Sequence, residues 1–250
     1  MAWFLTEPFC FTAKNKIMKT MFTLSKKAGW ALMLAFFSVL FLGTSCTKDN
    51  PDPEPEPVGE LEIRAVNTLI GSVNQDVLVN GAVKISSLSY GNSSAYVKIT
   101  SGISTIGFYD TGNNSTLNFG GQANLAIGEK FSLYYFLDPN GKKSALLLDD
   151  ATTAPASGKA KVRFLNINSF LNNTLSVSVA GSTSTLIPSV PYGADSNYFE
   201  VDAGSKFNFA AAGVVAGPAF DGPLLANKIY TIWIDGTSAT NLNGHLVLQN

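Results

Sequence analysis

Residues 61–67 read LEIRAVN, and residues 160–166 read AKVRFLN. Set against each other, they match Arg64 with Arg163 and Asn67 with Asn166. Apolar and polar residues alternate in both: Ile63 and Ala65 share one face of an extended chain, Glu62 and Arg64 the other. Working outward, VLVNG (77–81) aligns with VSVAG (177–181). LSYGNSSAYVKITSG (88–102) aligns with VPYGADSNYFEVDAG (190–204), which pairs Tyr90-Gly91 with Tyr192-Gly193, Tyr96 with Tyr198 and Gly102 with Gly204. EKFSLYYFLD (129–138) then aligns with KIYTIWIDG (228–236), and LLLDD (146–150) with LVLQN (246–250). Blocks in one order at a spacing of roughly a hundred residues mean a duplicated domain, too long for a solenoid unit.

The period is that of half-buried strands. Phe131, Leu133 and Tyr135 share a face, as do Tyr230, Ile232 and Ile234 in the second copy. Gly, Asn, Asp and Pro clusters break the runs at short intervals, and after residue 45 no window has the spacing of an amphipathic helix. The expected fold is all-β: two tandem immunoglobulin-like β-sandwiches, residues 60–150 and 159–250, joined by a linker at 151–158 within ATTAPASGK.

The motif [AL]-x-[IV]-R-x-x-N, then V-x-V-x-G, then [SP]-Y-G-x-x-x-x-Y-x-x-[IV]-x-x-G, resembles the bacterial family called domain of unknown function 4397 (DUF4397). The resemblance covers both halves. It implies an extracytoplasmic β-sandwich module with structural motif positions, namely Arg64, Arg163, Tyr90, Tyr192, Gly91 and Gly193, and it brings no catalytic residues. Family members usually carry a Ser-Pro-Asp-like loop before V-x-V-x-G. Here NTLIGSVNQD and NINSFLNNTLS stand in its place.

Upstream of residue 60 the chain has a different character. Lys19, Lys26 and Lys27 precede an apolar run from Ala28 to Gly43, the arrangement of a secretory signal peptide over residues 1–45. Met1, Met18 and Met21 are alternative starts. Leu42-Gly43-Thr44-Ser45-Cys46 resembles the lipobox of bacterial lipoproteins, which implies acylation of Cys46; more than one acyl chain is what stable anchoring needs. TKDNPDPEPEPVGE follows, and proline alternating with Asp and Glu makes residues 46–59 an extended, solvated tether. This acidic stretch resembles the surface-export signal of Bacteroidetes-type lipoproteins, with Lys48-Asp49 where that signal lies. The expected location is the outer membrane, lipid-anchored and facing the exterior; the alternative is a periplasm-facing lipoprotein with an acidic tether.

Composition agrees with this picture. The chain is 46% hydrophobic and only 14% charged, which excludes a disordered polymer. Without residues 1–45, twelve basic and seventeen acidic side chains remain, a net charge of −5. With no basic stripe, nucleic acid is not an expected partner. Of two cysteines, Cys10 lies in the leader, so the chain after it has no internal disulfide.

Few side chains have the spacing that chemistry needs. His245 is the lone histidine, within the last strand, where packing or exposure is the ordinary reading. Without a second histidine or a thiol in the domains, the usual nucleophilic triads and zinc sites lack parts. Asp149 and Asp150 point to opposite faces of a strand and read as a solvated strand end. Glu200 and Asp202 share a face, but Lys98 and Thr100 hold their places in the first copy, which reads as surface decoration. Asp138-Pro139-Asn140-Gly141 is a turn. Tyr134 and Trp233 align across the repeats on the face opposite the expected cores. Packing on both faces is the ordinary reading for such rings; the alternative is a platform on which sugars stack. Arg64 and Arg163 are expected to pair with a carboxylate or a carbonyl.

The expected function is that of a non-enzymatic, membrane-anchored lipoprotein without cofactors, serving binding, adhesion or scaffolding. Its expected partners are membrane lipid through Cys46 and a glycan or protein ligand. The alternative is a glycan-binding accessory protein that uses Trp233 and Tyr134.

Overall fold

A computed structural model describes residues 57–170, 173–215, 217–238 and 240–250. The segments expected to be leader and tether, with Cys46, lie outside the described residues as far as residue 56. The first repeat contains β1 (Glu60–Asn67), β2 (Gln75–Val79), β3 (Ala82–Leu88), β4 (Val97–Thr100), β5 (Gly102–Asp110), β6 (Leu117–Leu125), β7 (Lys130–Leu137) and β8 (Lys143–Asp149). The second contains β9 (Lys159–Asn166), β10 (Leu175–Val179), β11 (Thr185–Val190), β12 (Ala194–Asp195), β13 (Phe199–Asp202), β14 (Phe207–Ala210), β15 (Ile229–Asp235) and β16 (Asn243–Leu248). The described residues are all-β, as the alternating pattern predicts.

Each repeat is a two-sheet sandwich. In the first, β3-β2-β5-β6 faces β4-β1-β7-β8. In the second, β11-β10-β14 faces a sheet in which β12 and β13 pair with β9, followed by β15 and β16. The strand opening each repeat runs parallel to the one before its last, β1 with β7 and β9 with β15. The second sandwich has no strand in the place of β6 among its described residues; Phe220 instead bridges to Phe207.

The alternation seen in sequence fills both cores. Ile63, Ala65, Val77, Phe108, Leu133 and Tyr135 pack in the first, with the Phe108 and Tyr135 rings stacked at 4.7 Å. Val162, Phe164, Val177, Phe207, Ile232 and Ile234 pack in the second, where Phe164 meets Phe207 edge-on at 4.9 Å.

A third apolar cluster lies outside both cores. Val66, Tyr134, Phe136 and Leu148 from the first repeat meet Leu165, Ile167, Trp233 and Val247 from the second. The sheets carrying β7 and β15 therefore pack on both faces, and the two sandwiches form four layers. Double-sided packing explains why every residue from Phe131 to Phe136, and from Ile229 to Asp235, is buried.

Strand register corrects one alignment. Phe131 faces Asp149 while its counterpart Tyr230 faces Leu248. Asp150 therefore corresponds to Gln249, one residue away from the match that LLLDD and LVLQN suggest. The backbone agrees: Asp150 N donates to Lys130 O and Gln249 N to Ile229 O, both at 2.8 Å.

Candidate functional site

The motif residues converge on the face between the sandwiches. The asparagines explain the local geometry that aims them. Asn67 Nδ2 donates to Leu88 O and Asn166 Nδ2 to Val190 O, each at 3.0 Å. Gly91 N and Gly193 N donate back to Asn67 O and Asn166 O at 2.8 Å. Each asparagine thus ties the end of the opening strand to the Tyr-Gly turn, and the turn points its tyrosine at the other sandwich. Gly91 and Gly193 sit at φ 81° and 71°, where a side chain is strained. A Cβ on Gly193 would also lie 3.6 Å from the Phe136 ring of the first sandwich.

Contacts across the face are reciprocal, as about a two-fold axis. Arg64 Nε donates to Ser132 Oγ at 2.7 Å, and Nη1 crosses to Leu248 O at 2.5 Å. Arg163 Nε donates to Thr231 Oγ1 at 3.2 Å, and Nη1 crosses to Asp149 O at 2.7 Å. Each guanidinium lies over a repeat tyrosine, Arg64 over Tyr96 at 4.7 Å and Arg163 over Tyr198 at 4.9 Å. Each arginine thus meets a carbonyl of the other repeat, and each also has a carboxylate of its own repeat nearby, Asp150 at 4.0 Å from Arg64 and Asp195 at 3.9 Å from Arg163.

At the centre the symmetry breaks. Arg163 Nη2 donates to Asp150 Oδ1 at 2.8 Å, a fully buried ion pair. Gln249 stands in the equivalent place opposite Arg64, and Arg64 Nη2 is buried without a hydrogen-bond partner. Asp150 also accepts from Ser132 Oγ, Tyr96 OH and Gln249 Nε2, each at 2.5 Å. Tyr198 OH donates to Gln249 Oε1 at 2.9 Å. Burial, and then the charge of Asp150, push the Tyr96 phenol well above its usual value. The solvated strand end expected of both aspartates holds for Asp149 alone. Asp150 is buried because the end of β8 runs between the arginines of both sandwiches.

At the other rim Tyr90 OH crosses to Asp235 Oδ2 at 2.6 Å, and Tyr192 OH crosses to Leu137 O at 2.6 Å. Asp235 Oδ1 is 2.8 Å from His245 Nε2, and the His245 ring stacks on Trp233 at 3.7 Å. The lone histidine is thus half-buried and held by a carboxylate. Among the described residues no hydroxyl or thiol bonds to its ring.

Trp233 and Tyr134 are both 0% exposed. Their reading as ligand contacts is corrected: the opposite sandwich covers both rings, and a stacking platform needs a free ring face. Glu200 and Asp202 do lie on the surface, opposite Lys161 and Lys159, with Lys159 Nζ 2.7 Å from Asp202. Asp138 closes its turn by accepting from Asn140 N and Lys142 N. Among the described residues no three His, Cys, Asp or Glu side chains converge as metal ligands. A small gap in the first core, lined by Ile106, Phe108, Phe119, Ala123, Leu133 and Leu147, offers no polar side chain to orient a ligand.

Residues 61–173 match the family described as Domain of unknown function (DUF4397). The matched stretch runs through the first sandwich and on through β9, so it holds both Arg64 and Arg163. No curated protein matches the chain. Among solved structures, a family CBM26 carbohydrate-binding module from Eubacterium rectale, crystallised with maltoheptaose, is 14% identical. The match covers 76% of this chain and 97% of that one, at a TM-score of 0.26. The Bacillus anthracis TIE protein is 10% identical over 73% of this chain and 35% of its own length, at a TM-score of 0.23. Likeness at these scores carries no argument about ligand or partner.

Asp150, Gln249 and Asp235 are the residues that sequence reasoning missed. Arg64, Tyr90, Tyr96 and their counterparts were visible as a repeat. Three aspartate and glutamine positions that differ between the copies left no such signal.

Proposed function

We propose that this chain is a non-enzymatic lipoprotein, anchored in the outer membrane through acylated Cys46 and displayed on the cell exterior, where it serves binding, adhesion or scaffolding. The observation that carries the reading is the order of parts before residue 60: basic flank, apolar run, Gly43-Thr44-Ser45-Cys46, then a proline and acid tether. The four-layer body supports it. The recurring polar and aromatic side chains are engaged in holding one sandwich to the other, which suits a rigid display module. A glycan or protein ligand meets other side chains than Trp233 and Tyr134, since those rings are covered.

The test is acyl labelling and membrane fractionation of the full chain against Cys46→Ala, with protease shaving of intact cells. The reading expects label and membrane association to disappear with the cysteine, and shaving to remove the domains. Unchanged membrane association of Cys46→Ala would overturn it.

A further inference from the structure

The contacts between the sandwiches have the form of an isologous dimer interface, in which the same patch on both partners makes each contact twice. Arg64 reaches Leu248 O as Arg163 reaches the equivalent Asp149 O, and the two tyrosines cross to neighbouring positions, Tyr90 to the Asp235 carboxylate and Tyr192 to the Leu137 carbonyl. One covalent connection, residues 151–158, joins the two halves. We propose that this face is a recognition surface in its own right, that its partner is a sandwich of the opposite repeat, and that a second copy of this chain can supply that partner by exchanging halves.

The asymmetry at the centre sets which half is accepted. Pairing two first sandwiches would bring two Asp150 side chains together at the place where Asp150 now meets Gln249 at 2.5 Å. Each Asp150 would there meet a second acceptor instead of the amide donor, a mismatch that the two Arg64 charges balance overall but do not remove. Pairing two second sandwiches would leave each buried Arg163 with only the partly exposed Asp195, 3.9 Å away, in place of the carboxylate that now holds one at 2.8 Å. Only the mixed pairing supplies one carboxylate to the centre. The unpartnered Nη2 of Arg64 is the counterpart of the bond that Asp150 gives Arg163, left open because position 249 is an amide. Asp150 and Gln249 therefore act as the specificity pair of the surface. None of this depends on the anchor at Cys46.

The experiment uses the full chain, purified in detergent, with a protease recognition sequence in place of residues 152–157. After cutting, the two fragments are expected to elute as one species of one-to-one mass. A differently tagged cut copy, mixed in, is expected to recover untagged partner fragments. Gln249→Asp should weaken that retention at least tenfold by setting a second acceptor against Asp150 in place of the amide donor. Asp150→Gln with Gln249→Asp should restore it, because the exchange hands the carboxylate to Arg64. Separation or unfolding of the fragments on cutting would overturn the recognition surface. Retention that ignores Gln249→Asp, or that the double exchange fails to restore, would overturn the specificity pair.

Discussion

Gln249 donates its amide to Asp150 at 2.5 Å, and the two residues hold equivalent places in the two sandwiches. One sandwich thus completes the polar centre of the other. Asp150 serves four donors there besides backbone: Arg163, Ser132, Tyr96 and Gln249. Removing the carboxylate takes the nearer counter-charge from buried Arg163, which keeps only Asp195 at 3.9 Å, and takes away the carboxylate 4.0 Å from Arg64. Asp150→Ala is expected to lower stability by about 3–5 kcal/mol, the range for breaking one side of a buried ion pair. Urea unfolding measures it; a loss below about 1 kcal/mol would mean water reaches the centre.

Trp233 separates a packed ring from a displayed one by magnitude. Covered by the first sandwich and stacked on His245, it should cost about 3–5 kcal/mol on truncation to alanine. Thermal unfolding of Trp233→Ala reads this directly. A ring free on a surface would leave stability within about 0.5 kcal/mol.

Alkaline pH should loosen the rim at Tyr192. Burial first, and then the charge of Asp138, raise its phenol from the usual 10 to about 12. The folded state holds the neutral phenol, whose OH donates to Leu137 O. Its contribution is therefore full below pH 10 and is lost as pH rises from 10 through 12. Stability of Tyr192→Phe, followed over that window beside the parent, should fall less steeply; parallel curves would contradict the assignment.

The exposed pair of Lys159 and Asp202 provides the opposite limit. Its ammonium and carboxylate are 2.7 Å apart, but the Asp202 side chain is 80% exposed. Water and salt screen such a pair, so Lys159→Ala should shift the unfolding free energy by no more than about 1 kcal/mol. Raising the salt concentration should shrink even that difference.

Much of the architecture was legible because period two and turn chemistry are local. Ile63, Ala65, Leu133 and Ile232 read as inward-facing from alternation alone, and they are. Arg64, Tyr90 and Asn67 stood out because the chain repeats them, although nothing local says what they face. The misplacement of Asp150 against Asn250 shows the limit of block alignment. LLLDD and LVLQN match well one residue out of register, and only pairing with β7 and β15 decides between the two registers.

By itself the sequence determined the strands, the duplication and the Tyr-Gly turns, since each follows from neighbouring residues. Tertiary structure decided what covers the second face of β7 and β15. Tyr134 and Trp233 make those strands apolar on both sides, and such a pattern is the same for a ligand face and for a second core. The covering sheet comes from residues of the other repeat, and the partner of Arg163 is an aspartate across that interface. Burial of a charge depends on what approaches it through space, and no local pattern records that approach.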